Sequence, residues 1–274
     1  MKHDTIRKLP PMSALEFAIG QSFRNFLFSV MLALMWALVQ MPLLVAAYFL
    51  ALKDGIPDPK ELPPAAAAVL IALAVINLLA IYSIAVNWHR RLILRETPRR
   101  LGWIRLDGVV WKYLFCSLVI YIILGLIAAA AAATVLLLVP RLEPRIGAAA
   151  VPVGYAIAGL LGLFGLFAWY RLSTWLPAVA VGDRDYGLAH AWRTTRKNGG
   201  RFLGFTFWLL FTFAMGGAMA AGGYFAQLQL GQPWAGPAAI AVIALISWLS
   251  LLVVASIASS HYYYFGAGKD FPVG

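Results

Sequence analysis

Few side chains in this 274-residue chain are suited to chemistry, and most of those are cations. The histidines are His3, His89, His190 and His261, and Cys116 is the single cysteine. A zinc site needs three or four converging ligands. These histidines stand apart at the polar ends of apolar runs, where only His89 and His261 are placed to approach each other. A membrane haem would need axial histidines inside those runs, and none lies there. HExxH, GxSxG and P-loop patterns are absent, as is any paired-carboxylate constellation. No catalytic residue, metal or cofactor is therefore expected. Cys116, inside an apolar run, reads as a small packing residue. What the chain has in quantity is guanidinium and ammonium: Arg90, Arg91, Arg171, Arg193, Arg196, Lys197 and Arg201. Such groups donate to phosphate and carboxylate oxygens. They are the candidate contacts for anionic phospholipid or a protein partner.

The elements that must position them are apolar. The chain is 62% hydrophobic and 12% charged, with a mean hydropathy of +0.80, against about 25% charged in a soluble domain. Six runs approach or exceed the roughly 20 residues that cross a bilayer: 26–52, 65–88, 113–139, 146–170, 202–230 and 237–265. The expected fold is an all-α integral membrane protein. It has six transmembrane helices in three hairpins, with amphipathic interfacial helices on the cytoplasmic side, in a single polytopic domain over 1–274. The first run is longer than the roughly 7–15 residues of a signal-peptide core, so it is expected to be retained.

Charge sets the expected orientation. One side carries Lys2, Arg7, Lys8 and Arg24; Arg90, Arg91, Arg95, Arg99, Arg100, Arg105 and Lys112; Arg171, Arg184, Arg193, Arg196, Lys197 and Arg201; and Lys269. The other has only Lys53, Lys60, Arg141 and Arg145, balanced by Asp54, Asp58, Glu61 and Glu143. The whole formal charge of +11 thus lies on the first side. Cytoplasmic loops are rich in Lys and Arg, so both termini are expected in the cytoplasm of a bacterium, around a multi-pass inner-membrane protein. The opposite loops are Pro-rich and read as tight closures, among them the one holding Pro140 and Pro144.

Each hairpin follows a basic segment that ends in a cation beside an aromatic: Arg24-Asn25-Phe26, Lys112-Tyr113 and Arg201-Phe202. The units 13–88, 98–181 and 183–265 read either as a parallel repeat or as the basic, aromatic loops common to membrane proteins. The interfacial helices are placed at 13–25 and 186–198. In the first, Ser13 and Glu16 have capping-box spacing, and Leu15, Ile19, Phe23 and Phe26 share a face. In the second, Asp183 or Asp185 caps the start and Asn198-Gly199-Gly200 stops it. Leu188, Ala191, Trp192 and Thr195 share a face, with Arg193, Arg196 and Lys197 on another. Apolar stripes beside cations suit helices lying on anionic lipid. The segment from Thr97 to Asp107 is less regular. Small residues, at Gly154/Ala158/Gly162, at Gly216/Ala220 and Gly217/Ala221, and along Ala128 to Ala133, predict close helix packing.

No Asp, Glu, Lys or Arg falls near the middle of a run, which argues against an ion-coupled carrier. Asn77, Gln40, Thr134, Thr206, Thr212 and Gln227 are expected in interhelical hydrogen bonds. Arg171 reads as an inner-boundary anchor that snorkels. The alternative is a buried guanidinium paired with Asp183, Asp185 or a phosphate.

The stretch Arg171-Leu-Ser-Thr-Trp-Leu-Pro177, followed by Leu188-Ala-His-Ala-Trp-Arg-Thr-Thr-Arg-Lys-Asn198, resembles a pattern in bacterial six-span inner-membrane proteins of the YciC type. It is also similar to the membrane domain of some glycerophosphodiester phosphodiesterases. Pro177, Trp192, Thr195 and Asn198 match that pattern's structural positions. The resemblance implies a helical membrane fold with cytoplasmic interfacial helices, and no activity.

The function expected is that of a non-enzymatic inner-membrane protein whose basic cytoplasmic face binds anionic lipid, a protein partner or a second copy of the chain. Nucleic acid is not expected, because the cations lie against membrane-depth aromatics. The alternatives are a transporter or channel for a small amphipathic or anionic substrate, and an intramembrane lipid enzyme built on His89, Arg90, Arg91 and His261.

Overall fold

The structure, a computed structural model, describes residues 7–52, 62–98, 100–202 and 235–271, together with 205, 211, 214, 215, 217–219, 221, 222 and 225. Among the described residues every regular element is helical. Most of the run 202–230 lies outside them, including Thr206, Thr212, Gly216, Ala220 and Gln227.

Helix α1 (Pro11–Arg24) starts on a proline, whose fixed φ suits a first helical position and whose missing N–H is not needed there. Pro10 takes the cap position, so Ser13 and Glu16 lie inside the helix and the expected capping box does not form. Ala14 and Ala18 are fully buried. They bring α1 close to α9 (Ala235–Phe265), where Ser22 and Ser256 share a hydrogen bond of 3.0 Å. The apolar face expected on α1 is split: Leu15 packs at this contact and Phe23 is 76% exposed.

Asn25 alone separates α1 from α2 (Phe26–Ala47), which passes into a π-turn at Tyr48–Leu52. Helix α3 (Pro64–Leu94) has 31 residues, or about 46 Å at 1.5 Å each, well beyond a ~30 Å hydrocarbon core. The apolar run ends at Trp88, but His89, Arg90 and Arg91 continue the helix. It stops at Arg95, which takes a left-handed φ of 57°. The following segment folds back as a 3₁₀ turn, Arg100–Trp103. Asn87 donates to the Gly102 carbonyl at 3.1 Å, and Trp103 packs on Phe28.

Asp107 caps α4 (Gly108–Ala133), accepting from the Val109 and Val110 amides. A π-turn at Thr134–Leu138 leads into α5 (Val139–Ile146), so Pro140 and Pro144 sit in a helix and do not close a tight turn. Gly147, at φ 59°, reverses the chain into α6 (Ala150–Leu172). Helix α6 packs back along α4. A Cβ at Gly154 would overlap Val139, and one at Gly165 would lie 3.4 Å from Ile127. Of the described glycines expected in close packing, Gly154 is in such contact. Gly162 has open space around it, and Gly217, Ala221 and most of Ala128 to Ala133 are exposed. Asn77 is exposed and Thr134 bonds the Ala130 carbonyl of its own helix, so neither joins two helices among the described residues.

Two short helices, α7 (Trp175–Val181) and α8 (Leu188–Thr194), follow α6. The core is concentrated at the basic end, around Leu9, Trp88, Tyr113, Tyr170 and Tyr262. Away from it, α2, α3, α4 and α6 expose Leu38, Val75, Tyr121, Leu126, Leu160 and Phe164. Water-facing monomers rarely show apolar surface on that scale. Among the described residues, three stretches, Phe26–Leu50, Pro64–Leu94 and Gly108–Val181, are long and apolar enough to cross a membrane.

Candidate functional site

Arg171, in the last turn of α6, is 6% exposed. Its Nε donates to Thr195 Oγ1 at 2.9 Å, and Nη2 donates to the Trp192 carbonyl. The guanidinium lies 3.7 Å from the Trp192 ring centre and 5.2 Å from that of Phe167. It is therefore buried and does not snorkel, and no carboxylate pairs with it among the described residues. Asp183 is occupied elsewhere: it accepts from the Asp185 and Tyr186 amides and from the Tyr262 hydroxyl at 2.7 Å. It closes a turn before α8, where Gly187 takes the cap position that Asp183 or Asp185 was expected to fill. Burial pushes the Tyr186 phenol up, against its hydrogen bonds to Thr174 and Thr194.

The expected α8 face exists, but it faces protein. Ala191 and Thr195 are buried, and Leu188 and Trp192 half-buried, against the end of α6. The helix stops at Thr194, before Asn198-Gly199-Gly200, and Lys197 takes the left-handed turn at φ 62°. Asn198 is fully buried and joins three segments. It accepts from the Leu9 amide at 2.8 Å and donates to the Arg7 and Arg196 carbonyls at 3.1 and 3.0 Å. Its own carbonyl receives the Arg201 and Phe202 amides, opening the next helix. Arg201 donates to the Leu9 carbonyl. Pro177 is buried at the third position of α7, where its missing N–H leaves no ladder bond unmade.

The candidate cations thus divide. Arg171 and Arg201 are engaged with carbonyls and a hydroxyl. Arg90 pairs with Glu96 at 2.7 Å and donates to the Ala180 carbonyl. Arg90, first through this hydrogen bond, holds the Glu96 carboxyl below the usual carboxylate range, and Arg105 adds to the effect. Arg193, Arg196 and Lys197 are exposed and make no ion pair among the described residues. Arg193 also borders an apolar groove of about 630 Å³ walled by Ile127, Phe164, Leu172 and Trp192.

Arg91 belongs to a second place. Its Nε donates to Asn25 at 2.8 Å and its Nη1 to Thr97 at 2.7 Å. With Arg24, Arg95 and Lys269 it lines a cavity of about 760 Å³ that also has Phe17 and Tyr263 in its walls. Arg95 and Lys269 stood out in the sequence only as orientation markers, and Arg24 only as one of them and as the cation before Phe26. The loop-fold that gathers them was not visible in their spacing.

The histidines have different partners. His89 bonds Ser259 through Nδ1 at 2.7 Å and Tyr113 through Nε2 at 2.9 Å. His261 sits among Tyr170, Phe202, Phe205 and Phe265, with neither ring nitrogen hydrogen-bonded among the described residues. Of His89, Arg90, Arg91 and His261, only Arg91 lines the basic cavity. No group of three or more His, Cys, Asp or Glu suited to a metal occurs among the described residues. Cys116 is buried. Comparison with family models, curated proteins and solved structures gives no match.

Proposed function

We propose that the chain is a non-enzymatic bacterial inner-membrane protein with six crossings and both termini in the cytoplasm, and that its basic end binds anionic phospholipid. The observation that carries this is the division of the cations. Arg193, Arg196 and Lys197 remain exposed, Arg193 at the edge of the apolar groove, after structural roles have absorbed Arg90, Arg171 and Arg201. A cation near an anionic bilayer surface contributes about 1 kcal/mol. The exposed apolar flanks of α2, α3, α4 and α6 supply the hydrocarbon contact that would hold this face at the headgroups. The likeness to YciC-type proteins supports the span count, and the residues that carry it, Arg171, Pro177, Trp192, Thr195 and Asn198, are tied into the fold.

The full chain, purified in mild detergent and equilibrated with equal phosphatidylglycerol and phosphatidylcholine, should retain the anionic lipid preferentially by native mass spectrometry. Equal retention of the two would reject lipid binding by headgroup charge.

A further inference from the structure

We propose that the cavity between the C-terminal ends of α1 and α3 and the tail after α9 is a binding site for a phosphomonoester. This rests on the anionic-lipid reading and narrows it to one pocket and one headgroup class. Four cations converge there from three parts of the chain: Arg24 from α1, Arg91 and Arg95 from the end of α3, and Lys269 from the tail. No acid lines the cavity among the described residues. The carboxylates next in sequence to Lys269 and Arg95 are engaged elsewhere, Asp270 on Arg7 and Glu96 on Arg90 and Arg105. Four like charges sharing one space repel unless an anion joins them.

Cations favour helix C-termini for their own sake, which accounts for Arg24 and Arg91 taken singly. It does not account for Lys269, which arrives from the far end of the sequence and sits 5.6 Å from the Tyr263 ring centre. Nor does it account for Arg95, whose φ of 57° is a conformation glycine adopts without cost. Arg91 is already oriented, held by Asn25 and Thr97 and by the Phe28 ring at 5.3 Å. Its Nη2 makes no hydrogen bond among the described residues. A phosphodiester brings one negative charge to this set, whereas a phosphomonoester brings about 1.5 to 2 at pH 7, with three acceptor oxygens. The Phe17 and Tyr263 walls suit an ester carried on an apolar body. The same chemistry is offered by a phosphatidic-acid headgroup and by a soluble phosphomonoester.

The full chain in phosphatidylcholine nanodiscs is titrated in three arms: phosphatidic acid, phosphatidylglycerol at equal total charge, and glycerol 3-phosphate in solution. Phosphatidic acid or glycerol 3-phosphate is expected to bind, and whichever binds identifies the source. Arg95→Gly, which relieves the left-handed residue and so keeps the fold, and Lys269→Gln should each weaken that binding about tenfold, the loss expected for one charge-assisted contact. Arg145→Gln in α5 removes the same charge at the other end of α6 and should leave it unchanged. Equal binding of phosphatidic acid and phosphatidylglycerol, with no glycerol 3-phosphate binding, overturns the inference while the general lipid reading stands. An equal effect of all three variants also overturns it. Indifference to headgroup charge in every arm overturns both.

Discussion

Replacing Arg171 with Lys keeps a positive charge and removes the planar fork. The fork spans Thr195 Oγ1 and the Trp192 carbonyl while its face lies on the Trp192 ring. An ammonium cannot hold both acceptors and stack, so Arg171→Lys loses one charge-assisted bond and part of the ring contact. A hydrogen bond to a charged group contributes roughly 1.5–3 kcal/mol, and a desolvated cation–π contact about 2 kcal/mol. Lys keeps the charge and one of the bonds, leaving a net cost of about 2 kcal/mol. Removal of the buried charge offsets part of the loss only for Ala. Arg171→Ala loses both bonds and the stack, and should cost about 3 kcal/mol. At about 2–4 °C per kcal/mol for a chain of this order of size, Tm should fall by roughly 4–8 °C for Lys and 6–12 °C for Ala. Tryptophan fluorescence during heating of the full chain in detergent reads this directly. A snorkelling anchor would accept Lys without loss. Melting of Arg171→Lys with wild type, whatever Ala does, would refute the buried fork.

Asn198→Ala should cost about 2 kcal/mol, because the Leu9 amide is left buried without its acceptor; faster amide exchange over residues 7–14 checks it. Ala18→Leu overfills the α1–α9 contact and should lower stability by about 1–3 kcal/mol, with accelerated proteolysis of α1 as the readout. Glu96 has a lowered folded pKa, so its stabilisation is present above the ordinary carboxylate value and is lost as pH falls through the lower folded one. Melting temperatures measured from about pH 6 to 3 should therefore fall more steeply for wild type than for Glu96→Gln.

The helices were legible where apolar composition alone decides them. The runs beginning at 26 and 65 and ending at 170 lie within two residues of the ends of α2, α3 and α6. Ends governed by other physics were not. Pro10-Pro11 overrode the Ser13–Glu16 box, and the α3 helix outran its apolar segment because Arg residues are good helix formers. The face shared by Leu188, Ala191, Trp192 and Thr195 was legible from helical spacing, but its partner was not. Lipid and a protein groove look alike to an amphipathic pattern, and the deciding contact, Arg171, comes from α6. Trp192, Thr195 and Asn198 are successive contacts to α6 and to the Arg7–Leu9 segment. The basic cavity was illegible for a similar reason, since it joins residues 24, 91, 95 and 269.

Lipid selectivity tests the proposed role most directly. In bilayers of phosphatidylcholine containing the full chain, trace spin-labelled phosphatidylglycerol should be motionally restricted in a larger fraction than spin-labelled phosphatidylcholine. The difference should shrink with added salt and in Arg193→Gln/Arg196→Gln/Lys197→Gln, by up to about 3 kcal/mol for three surface cations. Identical restricted fractions for the two headgroups would contradict the account.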